Sequence, residues 1–217
     1  VGSMHERADQ RGMAHFLEHM LFKGTSKRAV GEIASTVEDC GGDINAYTTF
    51  DQTVYHLTLA SDHARLGVDL LCDAFSASCL DTEEVERERE VILEEIRRAK
   101  DSPGAMLGRR VFEIMFGGSE AGRPIIGSES SVSGFTRDQL FEFYRYWYTP
   151  GNCTVIATGD FEAAEMFELI KAEFGALRGD TAVRREVPSA SAKVAPSKEW
   201  PQVSVMRGDY QQPRLAL

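Results

Sequence analysis

The stretch GMAHFLEHMLFKGT, residues 12–25, decides how this chain can fold. Its residues are almost all apolar, and the exceptions are His15, Glu18, His19 and Lys23. At 100° per residue, an α-helix places both histidines and Glu18 on one arc about 100° wide. Because the rest of the circumference is apolar, such a helix belongs inside a protein. Burying these polar groups without partners costs on the order of 2 to 7 kcal/mol each, so something must compensate them.

The composition bounds the class of protein. The chain has 217 residues, 42% of them hydrophobic, which predicts one domain with a true core over residues 1–217. Its 34 acidic and 24 basic residues argue against a nucleic-acid or anionic-membrane partner. The sequence has no run of about 18 apolar residues, so it predicts no membrane span. The four cysteines form no C-x-x-C pair and indicate a reducing compartment, so we expect a cytoplasmic protein, with the mitochondrial matrix or periplasm as alternatives.

Helical patterns recur along most of the chain. The first helix should end at Gly24, and Thr25 or Ser26 should cap a second helix that runs to about Asp39. The segment 178–197, rich in small residues, proline and charge, has the composition of a linker. Further helices are predicted at about residues 63–78, 82–100, 105–117, 136–148 and 163–177.

Extended patterns alternate with these helices. Two strands should flank a turn near Phe50 and Asp51, because Thr, Tyr, Val and Ile are enriched on both sides of it. A further strand is predicted in NCTVIATGDF, residues 152–161, and a last strand pair in QVSVMRG and RLAL. The absence of a strict βαβ rhythm favours an α/β (α+β) sandwich in which helices cover a mostly antiparallel sheet.

His15 and His19 lie four residues apart, so one face of a helix can present both to a single metal ion. With Glu18 they form H-x-x-E-H, the inverzincin motif. A catalytic zinc ion needs a third protein ligand. The alternative for either histidine alone is a core residue hydrogen-bonded to backbone carbonyls, but that does not explain three polar groups that converge on a buried helix.

The charged helix over residues 82–100 offers Glu94 and Glu95 as the third ligand. The helical wheel places Glu95 on the arc of Val91 and Ile92, which we expect to face inward, and Glu94 among the solvated charges. Glu95 is therefore the carboxylate whose burial needs compensation. Glu88 shares the arc of Glu95, so it should support a ligand from behind, unless it is a surface carboxylate paired with a neighbouring arginine.

Taken together, these residues resemble the pitrilysin-type (M16) zinc metallopeptidases, in particular their processing-peptidase-like branch. The resemblance runs from residue 2 to about residue 176 and keeps the order of that branch's motifs. The stretches that carry it are GMAHFLEHMLFKGT, GGDINAYTTFDQTVYHL, EREVILEEI, GRPIIGSESSV and YRYWYTPGNCTVIATGDF. It implies one half of a clamshell, without the family's first strands and without the second homologous domain or subunit that closes over the substrate.

The same resemblance implies roles for particular residues. Zinc would be held by His15, His19 and Glu95, with Glu18 as the base that activates water and Glu88 as an accessory glutamate. The substrate would lie extended along an edge strand that includes Asn45, Ala46, Tyr47 and Thr48. Such strand addition binds a peptide through main-chain hydrogen bonds.

The function that follows is a zinc-dependent endopeptidase acting on extended peptides or presequences. One rival is a non-catalytic peptide-binding or scaffold subunit of the same fold. Such subunits usually lack part of the zinc motif, whereas His15, Glu18 and His19 are all present here. Another rival is a metal lyase that shares H-x-x-E-H and uses a cysteine ligand, which Glu95 makes unnecessary.

Overall fold

The computed structural model describes residues 1–117, 119–177 and 204–205. Within these residues it contains eight α-helices and two strands, together with several single turns of 3₁₀-helix. The helices are α1 Met13–Met20, α2 Glu32–Asp39, α3 Ala64–Ala77, α4 Thr82–Asp101, α5 Pro103–Phe116, α6 Glu129–Gly134, α7 Arg137–Trp147 and α8 Ala163–Phe174. The strands are β1 Asp43–Thr48 and β2 Thr53–Thr58. None of the described helices is long and apolar enough to cross a membrane.

Helix α1 lies in the middle of the core, as its sequence predicts. It contacts α4, α7 and both strands. Its buried residues are Met13, Ala14, Phe16, Leu17 and Met20. Because apolar neighbours surround α1 on most sides, its polar arc can face only a limited gap between the helices and the strands.

The two strands form an antiparallel hairpin whose register places Asn45 opposite His56 and Thr48 opposite Thr53. The turn closes through a hydrogen bond from the Thr49 N–H to the Gln52 carbonyl, 2.7 Å long. Within the described residues each strand pairs only with the other, so β1 has a free edge. The hairpin and its turn agree with the strands predicted around residues 50 and 51.

Helix α4 is the long charged helix predicted from the sequence. The Asp81 carboxylate caps it by accepting hydrogen bonds from the N–H groups of Glu83 and Glu84. On the opposite side from solvent, the buried Arg89 donates to the backbone carbonyls of Val132 and Phe135. These bonds join α4 to the α6–α7 region and fix the face that α4 presents to α1.

The boundaries of the first two helices differ from the prediction. Helix α1 ends at Met20, before Gly24, and α2 begins at Glu32 instead of following Thr25 or Ser26. The Thr25 hydroxyl accepts hydrogen bonds from the N–H groups two and three residues later, and these close a turn and not a helix. Gly31 then adopts φ 83°, a left-handed conformation that separates this turn from α2.

Among the described residues, no strand is found over residues 152–161 as predicted, because these residues give the segment no pairing partner. Cys153 has extended backbone angles, yet a strand exists only where a neighbour completes its hydrogen bonds. The predicted linker at 178–197 lies outside the described residues. The same holds for the last strand pair, of which only residues 204 and 205 are described, and neither is in a strand.

Candidate metal centre

Helix α1 presents His15 and His19 side by side, and α4 brings Glu95 to them. The two imidazole rings have centroids 4.8 Å apart. The Glu95 Oε2 atom lies 3.8 Å from His15 Nε2 and 3.5 Å from His19 Nε2. One ligand atom from each residue lies within 4.8 Å of the other two. The structure thus brings together the three residues that the sequence marks as metal ligands, although Glu95 follows His19 by 76 positions along the chain.

The separation of 3.5 Å lies within the range expected around a zinc ion, and that of 3.8 Å lies just above it. Bonds of about 2.0 to 2.2 Å in a tetrahedral arrangement separate neighbouring ligand atoms by about 3.3 to 3.6 Å. Two imidazoles and one carboxylate are also a donor set that zinc accepts, with one position left open. His15 Nδ1, the ring nitrogen that these distances do not involve, is buried and has no hydrogen-bond partner among the described residues. Within the described part of the chain, no other three His, Cys, Asp or Glu side chains bring their ligand atoms within 4.8 Å of one another.

Burial and neighbouring charges act differently on the two imidazoles. Burial, helped by the nearby His19, lowers the pKa of His15 to about 3, so His15 is neutral at pH 7. Burial also acts to lower the pKa of His19, but its hydrogen bond to Glu88 and the nearby Glu95 outweigh that effect and the pKa is raised. A neutral imidazole is the form that binds a metal, so His15 is already in that form.

Glu88 lies directly behind His19. Its side chain is buried, with 7% of the residue exposed, and Oε2 lies 3.1 Å from His19 Nδ1. Lys23 Nζ approaches the other oxygen at 2.5 Å. Burial opposes ionisation, but the bonds from His19 and Lys23 prevail and lower the pKa of Glu88. The ionised Glu88 accepts a hydrogen bond from His19 Nδ1–H, which directs His19 Nε2 toward Glu95.

Glu94 and Glu95 separate as the helical wheel predicts. Glu94 points to solvent, where Arg97 lies at 3.2 Å and Arg98 at 3.4 Å. Glu95 faces the histidines, although 39% of its side chain stays exposed. The predicted inward arc is wrong at Val91, which is 45% exposed, because α1 covers a narrower face of α4 than the wheel suggested. Glu95 therefore lies at the rim of the buried face.

Glu18 contacts the hairpin. The Thr48 hydroxyl of β1 donates a hydrogen bond to Glu18 Oε2, and Thr48 in turn lies 3.4 Å from the Thr53 hydroxyl. The exposed Asn45 and Tyr47 alternate along the strand with the half-buried Ala46 and Thr48. Only part of the stretch from Asn45 to Thr48 is thus open to solvent, and Thr48 joins the strand to the polar arc of α1.

Sequence reasoning missed several polar contacts around this site. It gave no role to Lys23, which pairs with Glu88, or to the buried Glu6, which bonds to the start of α1. It also missed Tyr55 and Tyr148, whose hydroxyls lie 2.6 Å apart beside the hairpin. Burial raises the pKa of both tyrosines well above the ordinary value. No periodic pattern marks these residues, because each contact joins segments that are irregular or distant in sequence.

Two family models match this chain. The one described as "Insulinase (Peptidase family M16)" matches residues 1–129. The one described as "Peptidase M16 inactive domain" matches residues 134–217. The boundary between the two matches falls within α6. The expectation of one domain over residues 1–217 stays a prediction.

Relatives and solved structures agree with these matches. An uncharacterized zinc protease of Mycobacterium leprae is 40% identical over 81% of this chain and 39% of its own length. A protease from Helicobacter pylori is 30% identical with a TM-score of 0.81, over 88% of this chain and 46% of that one. The periplasmic protease PqqL from Escherichia coli is 31% identical with a TM-score of 0.78, over 87% of this chain and 22% of that one.

These likenesses bear on the fold and on the extent of the chain. They confirm the predicted fold class, in which helices cover an antiparallel sheet in one half of a clamshell. The chain spans about two fifths of the length of the mycobacterial relative, 39%, and less than half of either solved protease. What those longer proteins do as a whole therefore enters only as a proposal for this chain.

Proposed function

Because this chain belongs to peptidase family M16, we propose that it carries the metal centre of a zinc-dependent endopeptidase that hydrolyses extended peptides or presequences. The observation that supports the proposal most is the convergence of His15, His19 and Glu95, whose Nε2 and Oε2 atoms lie 3.5 and 3.8 Å apart. Nothing in the packing of α1 requires two largely buried imidazoles to face the Glu95 carboxylate at the rim of the core. A cation explains why they are there.

In this proposal His15, His19 and Glu95 hold the zinc ion. Two neutral imidazoles and one carboxylate leave the loaded site with a net charge of about +1, so the ion keeps its affinity for electron pairs. When bound, zinc supplies Lewis acidity, which polarises a carbonyl group and makes water more acidic. Glu88 keeps the proton of His19 on Nδ1 and so holds the ring in the orientation that ligation needs.

Glu18 is the general base in this scheme. It lies on the same arc of α1 as the two histidines but is not part of the group of three close ligand atoms. Its carboxylate takes a proton from the attacking water as the new C–O bond forms. It then gives that proton to the amine nitrogen as the C–N bond breaks. The hydrogen bond from Thr48 keeps the Glu18 carboxylate oriented toward the site.

The substrate would add to the free edge of β1 as an extended strand. Main-chain hydrogen bonds to the stretch from Asn45 to Thr48 would give affinity without demanding one sequence. The exposed Asn45 and Tyr47 would contact substrate side chains, whereas the Thr48 hydroxyl donates a hydrogen bond to Glu18. Unfolded peptides and presequences fit this mode because they can adopt the extended conformation that pairing requires.

A second M16-like half, in the same polypeptide or in another subunit, would close over the substrate. We propose the cytoplasm as the compartment, because all four cysteines are free thiols. The periplasmic location of PqqL makes the periplasm the alternative.

The test uses the complete gene product and a mixture of unstructured peptides, followed by mass spectrometry. We expect internal cleavage that a chelator abolishes and that added zinc restores. Peptides that bind but stay intact with zinc present would instead favour a non-catalytic subunit of the same fold. Cleavage that continues with the chelator and without any measurable metal would overturn the proposal.

A further inference from the structure

Glu6 is a buried carboxyl group that the proposed chemistry does not use. It belongs to the irregular segment before α1, and only 3% of the residue is exposed. Its two oxygens accept separate hydrogen bonds from α1, from the Gly12 N–H at 2.9 Å and from the Ala14 N–H at 2.8 Å. Ala14 is the residue immediately before His15. Glu6 therefore hydrogen-bonds to the backbone next to one of the proposed zinc ligands.

Helix α1 depends on these two hydrogen bonds because it has no side-chain cap of its own. Its N-cap residue is Gly12, whose φ of 99° is left-handed and which offers no side chain to the first N–H groups. The helix has eight residues, fewer than an isolated helix needs for stability in water. Its first turn is thus held from outside, and Glu6 supplies the hydrogen bonds that a serine or aspartate cap would otherwise make.

A close backbone contact holds the same turn from the other side. A Cβ atom added at Gly12 would meet the Ile126 carbonyl at 2.9 Å, and one added at Gly127 would meet the Arg11 carbonyl at 2.7 Å. Both glycines have positive φ. The start of α1 is therefore confined between the Glu6 carboxyl group and the segment at 126–127, which leaves it little freedom to rotate or slide.

We propose that Glu6 is a positioning residue for the metal centre, which sets the phase of the first turn of α1 and so aims His15 at the point where His19 and Glu95 converge. The inference rests on the proposed function. His15 needs such a device more than His19 does, because His19 is held by Glu88 whereas His15 Nδ1 has no partner among the described residues. In place of a side-chain contact, the hydrogen bond from the Ala14 N–H to Glu6 fixes the backbone that carries His15.

The experiment compares Glu6→Ala and Glu6→Gln with Thr136→Ala in the complete protein. Thr136 caps α7, which carries none of the proposed site residues, through a bond to the Gln139 N–H. Thr136→Ala thus removes a side-chain bond to the first turn of a helix outside the proposed site. Zinc affinity is measured by competition with a chromophoric chelator, and hydrogen exchange of the segment 12–25 is measured by mass spectrometry in the metal-free protein.

We expect Glu6→Ala to lower zinc affinity by about 10-fold, as loss of support behind a ligand does, and to speed exchange over the first turn of α1. The amide of Glu6→Gln can accept only one of the two N–H bonds, so its affinity should lie between those of Glu6→Ala and the parent protein. Thr136→Ala should lower the melting temperature and leave both readouts unchanged.

Unchanged zinc affinity in both Glu6 variants would overturn the proposal, as would equal losses in the Glu6 and Thr136 variants. If Glu6→Ala does not fold, Glu6→Gln alone decides between these outcomes. Because neither readout depends on peptide cleavage, the inference can hold even if the protein is found to be non-catalytic. If the parent protein binds no zinc, the proposed function fails, and exchange in the metal-free variants still tests whether Glu6 holds the turn.

Discussion

The two helices that meet at the candidate metal centre are opposites in composition and support. Helix α1 is short, apolar and buried, and it is held by Glu6 and by its neighbours in the core. Helix α4 has 20 residues, is rich in charge and carries its own cap, Asp81. Pairs such as Arg97 with Glu94 lie along its exposed surface. Either helix alone would be a poor site.

The difference shows how to separate functional charges from ordinary ones. On α1 every polar residue of the arc is an exception that needs an explanation. On α4 charge is the rule, so only the carboxylates that face α1 carry information, and these are Glu88 and Glu95. Neutralising a charge on α4 should therefore have very different effects depending on its face, whereas any change in the polar arc of α1 should be severe.

The largest effect is expected from Glu18→Gln on α1. The amide keeps the shape of the side chain but cannot accept the proton from water, so peptide cleavage should fall by about 10²- to 10⁴-fold. Zinc affinity should stay within about 3-fold of the parent value, because loss of a base is expected to spare ligands elsewhere on the arc. Rate assays and zinc analysis of the same preparation check both statements, and loss of the metal from this variant would show that Glu18 is a ligand.

The contact between Glu6 and the start of α1 should respond to pH. Burial raises the pKa of Glu6 to about 8, despite its bonds from Gly12 and Ala14. Since the folded protein holds this proton more tightly than the unfolded chain, the contribution is fully present below about pH 4.5 and is lost as pH rises toward 8. The shift corresponds to a fall on the order of 5 kcal/mol in the free energy of unfolding.

Urea titrations between pH 5 and 9 would measure this slope. Glu6→Gln should flatten it, because the amide does not titrate. The control change on α4, Asp81→Asn, leaves Glu6 in place and should therefore keep the slope that Glu6 produces. A slope that survives in the Glu6 variant would assign the pH dependence to other groups.

On α4 the decisive comparison is between adjacent carboxylates. Glu95→Gln should weaken zinc binding by at least about 100-fold, because it removes a charged ligand, while Glu94→Gln should leave zinc binding unchanged. Glu94 serves only as an exposed ion-pair partner, and such pairs contribute about 0 to 1 kcal/mol to stability. Calorimetric zinc titrations of the two variants measure the difference. Equal affinities would remove the reason to place Glu95 in the site.

A smaller effect is expected at Glu88, which contacts a ligand but not the ion. The amide of Glu88→Gln still accepts a hydrogen bond from His19 Nδ1 but loses the ion pair with Lys23, so zinc affinity should fall by about 10-fold. Glu90→Gln, an exposed change on the same helix, is the control and should have no effect. The same chelator competition detects both. Unchanged zinc affinity in Glu88→Gln would contradict the proposal that Glu88 supports His19.

The sequence was most informative where structure is local. The arc of α1, the long charged helix α4 and the hairpin turn all follow from spacing and residue type within a few positions. The separation of Glu94 from Glu95 follows for the same reason, because one step of 100° moves a side chain from solvent to the gap beside α1. These features could be read without knowing what the elements pack against.

The sequence was least informative where a partner far along the chain decides the outcome. The segment 152–161 has the residues of a strand but no neighbour within the described residues to complete its hydrogen bonds. Val91 carries an apolar side chain that α1 leaves exposed. Glu6 and Thr48 gain their contacts with α1 only when the segment before the helix and the hairpin fold against it. None of these outcomes is encoded in local periodicity.

The most direct test of the central claim is the X-ray absorption spectrum of zinc in the loaded, complete protein. The account predicts only nitrogen and oxygen neighbours at about 2.0 to 2.2 Å, with the scattering pattern of two imidazoles. One imidazole should vanish in His15→Ala. A sulfur neighbour at about 2.3 Å, or two imidazoles that persist in that variant, would contradict the assignment of His15, His19 and Glu95 as the ligands.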